Sequence, residues 1–478
     1  MPSDKSGDSL TGPGWVPYVP VVGLAVPLGF VIATHRPLYW AMAAGSVIAA
    51  LSAAFCQRGE RREGSPAEHI IRYAWAGVSR IANVIVLILL VNAMTAVWFT
   101  SGTIQGLVYY GLSIVSPGQV MVAGLTVSTL VSLMLGSSVG TVATVGVAVM
   151  GMAKALGIPL APVAGAIMSG ALFGDRVSFL SPIFHLAIDL TGSQQSKASR
   201  RIFLTGAAAW VLAFVAYLTM GFALGPGSTA QGLRMRGEYL AALSEAANIG
   251  PWVVLPPTVV ILLAMRKVSV KTCLFAGLTV GGAVAVLSQG RNVADVFTSA
   301  LVGYSQESRV PELASLLRSG GIAGTRDMVI LLCSAGVYTG ITELSGMMEA
   351  AIRPAIGRIK TRTSFLMATM GVSVLSAAFA SNQAMSVILP ARLMEAKRKE
   401  TGTSPEDFAG VISDSGVAAA GIIPWNVMAV ICAQSLQLSP LTYAPYSFLL
   451  LALPVMGGLH TVATARRTEE SHLIRDEY

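Results

Sequence analysis

VMVAGLTVSTLVSLMLGSSVGTVATVGVAVMGMAKA, residues 120–155, decides how the rest of the chain reads. Two apolar arms flank a polar centre made of Gly136, Ser137, Ser138, Gly140 and Thr141. A helix needs about 20 apolar residues to cross the hydrocarbon core, and each arm has about 17 or fewer, so neither is a comfortable crossing. A re-entrant hairpin with its tip at mid-membrane fits these lengths. Non-helical backbone is tolerated at that depth only where it is buried in protein or lines a wet cavity.

Upstream, apolar blocks cover about 15–34, 38–55 and 81–101. The loop after the second block carries Arg58, Arg61 and Arg62, which marks it as cytoplasmic and puts the N-terminus inside. Downstream, 159–190 is long enough for one span but is broken by Gly174, Asp175, Arg176, Ser178, Ser181 and Pro182. The basic loop with Lys197, Arg200 and Arg201 follows, then a clean span at 202–224.

The second half repeats this order: spans at 252–265, 272–287 and 328–344, then 364–394 with the polar centre Ser381-Asn382-Gln383. A broken stretch at 408–436 holds Asp414, Gly416, Gly421, Pro424 and Asn426, and the last span is 443–459. Ser101-Gly102 and Ser345-Gly346 are 244 apart, as are Ser137 and Ser381. The ordering of features carries the repeat, not residue identity.

Charge tests the orientation separately. In the first half the second loop is basic. In the second half it is the first loop, with Arg266, Lys267 and Lys271. The second hairpin is flanked by Arg353, Arg358, Lys360 and Arg362 on one side and Lys397, Arg398 and Lys399 on the other. The halves are therefore expected to run in opposite directions, with both termini cytoplasmic. Arg234 and Arg236 fall in an outer loop and go against the rule, but long loops weigh less.

The fold expected is an all-α membrane protein of two inverted-topology repeats. It has about ten transmembrane helices, two re-entrant hairpins and broken helices at the midplane. A cytoplasmic tail (1–13), first repeat (14–225), external linker (226–249), second repeat (250–465) and cytoplasmic tail (466–478) follow from it.

Composition agrees. Of 478 residues, 54% are hydrophobic and 12% charged, against roughly 25% charged in soluble domains. The net charge of +8 sits mostly in short loops and reads as topology, not nucleic-acid binding. Cys56, Cys273, Cys333 and Cys432 have no metal-ligand spacing and read as packing residues. Residues 1–13, with one lysine before a full-length span, argue against a cleaved signal peptide.

Inverted repeats with interrupted helices are a design of secondary transporters. Breaks at mid-membrane present N–H groups to anions and C=O groups to cations. The ionisable residues at membrane depth are Asp175, Arg176, His185, Asp189, Asp414 and Glu343, the last and Asp189 near interfaces. Each such charge costs roughly 2.5–3.5 kcal/mol on insertion scales, so it demands a partner or a role. Asp175 and Asp414, at a break in each half, are the ion or proton carriers expected here, with His185 a further proton candidate. Structural alternatives stand beside these: Asp175 paired with Arg176, Asp414 as a helix cap, His185 as a neutral core donor. His35, His69, His460 and His472 fall in or near loops. Ser137, Ser138, Thr141, Ser381, Asn382 and Gln383 at the tips, with Ser178, Ser181 and Asn426 at the breaks, complete the expected ion or substrate site. No cofactor, and no metal beyond Na+, is implied, and no metal pair, nucleophile elbow or phosphate loop supports an enzyme.

At these residues the sequence resembles the NhaC-type Na+/H+ antiporter family of the wider ion-transporter superfamily, over about 77–453. The likeness lies in Trp98 with Ser101-Gly102-Thr103, Tyr109 to Leu112, Gly136 to Thr141 and Ser169 to Asp175. It continues in Ser319-Gly320-Gly321, Gln383, Asp414 with Gly416, Pro424-Trp425-Asn426, Tyr443 and Pro445-Tyr446. The resemblance implies exchange of a cation for protons or, in some relatives, of small organic acids, and a homodimer in the wider superfamily. After its Gly-Asp the family reads Ser-Pro-x-Ser-Asp-Thr-Thr-Asn, whereas here Ser178 to His185 reads Ser-Phe-Leu-Ser-Pro-Ile-Phe-His. Asn382 stands for a tip aspartate, Ser413 for the glutamate before Asp414, Val417 for a threonine and Ala420-Gly421 for Ser-Pro. Hard cations take several oxygen ligands. Their partial replacement keeps open a proton- or sodium-coupled transporter of a small organic acid or amino acid. A non-transporting scaffold or sensor is the remaining alternative.

Overall fold

A computed structural model describes residues 15–34, 36–57, 65–224, 230–306 and 318–476. The 1–13 tail, His35 and the loop with Arg58, Arg61 and Arg62 lie outside the described residues, as do the side chains of Cys56, Arg234, Arg236 and His472.

The first repeat holds α1 (Val19–Ala33), α2 (Tyr39–Gln57), α3 (Pro66–Thr100) and the short α4 (Thr103–Ile114). Next comes a hairpin of α5 (Val120–Leu135) and a second arm, in which α6 (Ser138–Thr141) and α7 (Val147–Ala155) are joined by a π turn. The broken helix α8 (Leu160–Val177) and α9 (Pro182–Thr191), then α10 (Gln195–Leu224), end the repeat. A linker helix α11 (Ala230–Ala246) precedes α12 (Leu255–Met265), α13 (Val270–Gln289) and α14 (Val293–Val302). A two-residue antiparallel pair, β1 (Tyr304–Ser305) and β2 (Arg318–Ser319), leads to α15 (Arg326–Leu344) and α16 (Met347–Gly357). The second hairpin is α17 (Arg362–Phe379) and α18 (Met385–Glu400). The second broken helix is α19 (Pro405–Ile412), prolonged by a π turn, and α20 (Val427–Leu436). One turn, α21 (Pro440–Tyr443), and the long α22 (Phe448–Asp476) close the chain.

Left-handed backbone marks the repeat. Gly102 (φ 72°) and Gly346 (φ 77°) are 244 apart, and α4 and α16 start directly after them. Further on, Gly136 and Ser381, Gly157 and Gly402, and Gly192 and Gln437 are each 245 apart, all with positive φ. The register therefore gains one residue before the second hairpin tip. Gly136 corresponds to Ser381, Ser137 to Asn382 and Ser138 to Gln383, which corrects the pairing of Ser137 with Ser381. In a chain this rich in Gly and Ala, a one-residue slip leaves no trace in identity.

Packing follows the same symmetry. α1 lies on α2 and α2 on α15; their counterparts are α12 on α13 and α13 on α3. The pairs α3 with α15 and α10 with α22 sit on the axis. Counting three helices, the broken helix and the last long helix of each repeat as crossings, and each hairpin as returning to its own side, gives both repeats an odd number, so the second begins on the opposite face and the repeats are inverted. At the α3–α15 crossing, Gly77 faces Gly336 and Gly340 with backbone against backbone, and a Cβ on Gly77 would overlap the Gly336 carbonyl oxygen. Close approach through small residues is how helices associate without a hydrophobic driving force. Gly77→Val is accordingly expected to destabilise the protein by roughly 1–3 kcal/mol, as overpacking does, read as a lowered Tm in detergent.

Two expectations need adjusting. The last helix does not end at 459 but continues to Asp476, and His460 stands within it, half-buried, instead of in a loop. The 252–265 span is a short helix after a 3-10 turn at Pro251–Val254, bent 89° from the end of α11.

Candidate functional site

The first hairpin turns at Gly136, whose φ of 61° is left-handed and whose backbone lies against Leu180 and Ser181. Ser137 then starts α6 as its N-cap, its hydroxyl accepting the Gly140 N–H at 3.2 Å. This cap turns the next hydroxyl, Ser138 Oγ, onto Asp175 Oδ2 at 2.6 Å. α8 ends at Ser178, whose hydroxyl donates to the Leu133 carbonyl at 2.7 Å and so fixes the break to the hairpin. Ser181 caps α9 and also donates to Asp175 Oδ1 at 2.8 Å. Both carboxylate oxygens thus accept a serine hydroxyl, one from the hairpin tip and one from the helix break.

Asp175 is only 6% exposed, yet it lines a cavity of about 690 Å³ together with Ser137, Ser138, His185, Asn382 and Gln383. The lining reaches the exposed Lys267 and Ser269 of the α12–α13 loop, which we take as the mouth of the cavity. The inner wall includes Met428, whose sulfur lies 3.5 Å from Ser138 Oγ. His185 Nε2 is 2.8 Å from the Phe179 carbonyl oxygen. A carbonyl only accepts, so that nitrogen carries the proton and Nδ1 holds the lone pair.

Other expected residues are structural neighbours of the cavity. Asn426 caps α20: its Oδ1 accepts the Met428 N–H at 3.0 Å and its Nδ2 donates to the Ala377 carbonyl at 2.9 Å. Ser381 Oγ accepts from Thr339 Oγ1 at 3.2 Å, and Thr141 Oγ1 donates to the Ser137 carbonyl at 2.9 Å. Neither these nor Ser178 line the cavity.

Asp414 lies elsewhere. It is fully buried within the π turn Ser413–Val417, where Arg176 Nη2 bonds its Oδ1. Thr205 Oγ1 donates to the same oxygen at 2.9 Å, and Arg201 Nη1 to Oδ2 at 2.9 Å. Arg201 reaches on to Asp407 at 3.5 Å, and Arg362 Nη2 bonds Asp407 at 2.6 Å. Arg176 therefore pairs with Asp414 and not with its neighbour Asp175, since consecutive helical residues do not face each other. Under the 245-residue register, Asp175 corresponds to Ala420 and Asp414 to Ser169, so the two aspartates are not equivalent. Arg201, Thr205, Asp407 and Arg362 were not among the expected site residues. The available signal is that a carboxylate at membrane depth needs a cation, whereas Arg201 reads in the sequence as loop topology alone. Glu343 pairs with Arg80 at 2.8 Å and Asp189 is exposed.

Residues 170–461 match the Na+/H+ antiporter family. Over 373 residues the chain is 30% identical to the Na(+)/H(+) antiporter NhaC of Alkalihalophilus pseudofirmus, covering 78% of this chain and 80% of that protein. It is 28% identical to the malate-2H(+)/Na(+)-lactate antiporter of Bacillus subtilis, covering 80% and 82%. The arginine/ornithine antiporter ArcD of Halobacterium salinarum is 25% identical, covering 81% and 82%. With interrupted helices, two hairpin tips and a buried carboxylate at their meeting point, the chain belongs to the Na+/H+ antiporter family.

Proposed function

We propose that this multi-pass membrane protein is a secondary active transporter that exchanges Na+ for protons by alternating access, with Asp175 as the group the two ions share. The supporting observation is the setting of Asp175, buried at the junction of a hairpin tip and a helix break and reached through one open cavity. Ionised, Asp175 supplies the negative charge for a cation, and Ser138 and Ser181 add hydroxyl oxygens that keep lone pairs while donating to it. The last carbonyls of a helix have no intrahelical partner, and α8 ends at this break, an arrangement that suits a hard cation. Protonated, Asp175 is neutral and releases the ion, so proton and cation compete for one group and the fluxes are coupled. His185, with Nδ1 as its basic atom, is a second proton acceptor at the cavity wall. Asp414, already neutralised by two guanidinium groups, serves as a fixed counter-ion. Arg266, Lys267 and Lys271 in the α12–α13 loop support a cytoplasmic opening by the positive-inside rule.

A second reading, exchange of a small organic acid, is favoured by the cavity volume of about 690 Å³, which is that of a small-molecule pocket and far exceeds one ion. Purified protein in proteoliposomes under an imposed pH gradient separates the two. Flux that follows Na+, with weaker response to Li+ or K+, is the expected result. Flux requiring a carboxylate and indifferent to Na+ would replace the first reading with the second, and no flux with any solute would remove both.

A further inference from the structure

A second cavity, of about 860 Å³, approaches the centre from the other side. Its rim includes Pro37 and Leu38 of the α1–α2 loop. That loop is the repeat counterpart of the α12–α13 loop at the first mouth and lies an odd number of crossings from it, so the two cavities open on opposite faces. Asp327 and Arg318 both stand exposed on its lining, so its two charges are of opposite sign.

Helix α20 contributes residues to both. Met428 lines the first cavity, whereas Val430, Ala433 and Gln434 line the second. The N-terminal end of α20 is fixed to the second hairpin. Val427 N–H donates to the Ser381 carbonyl at 2.9 Å and Trp425 Nε1 to the Ala378 carbonyl at 2.6 Å. Further along, α20 is fixed to α3: Gln434 Nε2 donates to Asn92 Oδ1 at 2.6 Å, and Asn92 Nδ2 donates to the Ile88 carbonyl at 3.0 Å. Asn92 is 6% exposed, and both amides border the second cavity.

We propose that the Asn92–Gln434 pair is a latch that holds α20 shut between the two cavities, and that the 860 Å³ cavity is the opposite mouth of the Asp175 site once the latch parts. The proposal rests on the alternating-access reading above. An amide pair suits the task. It is directional enough to hold one arrangement, and its neutral groups can exchange each other for water when the cavity widens without leaving a charge that would trap a passing cation. A salt bridge in the same place would do so.

The test uses the full chain with Cys56, Cys273, Cys333 and Cys432 replaced by serine or alanine, and Met428→Cys as reporter. Labelling by a membrane-impermeant maleimide is timed in right-side-out and inside-out vesicles. With the latch intact, the reporter is expected to react from the first-cavity face alone. Adding Asn92→Leu, or in a separate chain Gln434→Leu, is expected to raise the rate from the opposite face at least about tenfold while reaction from the first face persists, which also certifies folding. An unchanged rate from the opposite face in both variants would overturn the latch. Because labelling needs no flux, that outcome is distinct from failure of the transport reading, which would show as absent exchange in the reporter-free protein whatever the labelling pattern.

Discussion

Asp175→Asn is expected to reduce ion exchange to the level of protein-free liposomes. The substitution keeps the shape and one of the two serine hydrogen bonds, the other hydroxyl now having to accept from the amide nitrogen instead of donating, and it removes the charge and the titrating proton together. Opposite unit charges about 4 Å apart attract by about 4 kcal/mol at the effective dielectric of a protein surface, and about 4 kcal/mol is near a thousandfold in affinity. Coupling is lost at the same time, because an amide cannot exchange a proton for a cation. The measurement is Na+-dependent dissipation of a pH gradient, alongside a Na+ binding isotherm on the purified protein. Asp175→Glu retains a carboxyl group and is expected to keep measurable exchange with a shifted pH profile. Wild-type rates in Asp175→Asn would remove this residue from the mechanism.

Asp414→Asn is expected to fail for a different reason. Arg176 is 1% exposed and Arg201 6% exposed, and both depend on Asp414. Removing one partner of a buried ion pair leaves an uncompensated charge and costs about 3–5 kcal/mol. The expected result is a sharply lower Tm in detergent and poor yield, with any residual exchange keeping the pH profile of the parent. Replacing both members by apolar groups, Arg176→Met with Asp414→Leu, is expected to recover much of the stability, since apolar substitutes for a buried pair are often neutral or better. If Asp414→Asn folds normally and shifts the pH profile of exchange, then Asp414 carries protons and the fixed counter-ion role is wrong.

The contrast between these two aspartates shows what a sequence reading can reach. Local signals carried part of the way: Gly136 to Thr141 marks a turn inside an apolar run, whereas Ser181 and Asn426, which read as ion or substrate residues, cap α9 and α20. Asp175 meets its partners through groups that the breaks themselves supply. Asp414 does not. Its guanidinium partners come from α8 and α10, 238 and 213 residues away, and the side chain of Arg176 leaves the helix in another direction from that of Asp175. No spacing rule encodes such a meeting. The same limit hid His460, which stands near Arg201, Asp407 and Asp414 only because α22 packs along α10.

Ala420 occupies the position in the second half that Asp175 occupies in the first. A device with identical halves would present the same binding chemistry to either compartment. Here the titratable group belongs to one half only, so the two compartments meet an unlike pair of thresholds. The gradients alone still fix the equilibrium, but half-saturating concentrations for forward and reverse cycles need not match. With Asp175 as the shared group proposed above, the expected behaviour is that of a rectifier, with forward and reverse exchange running at unequal rates well before either gradient is exhausted.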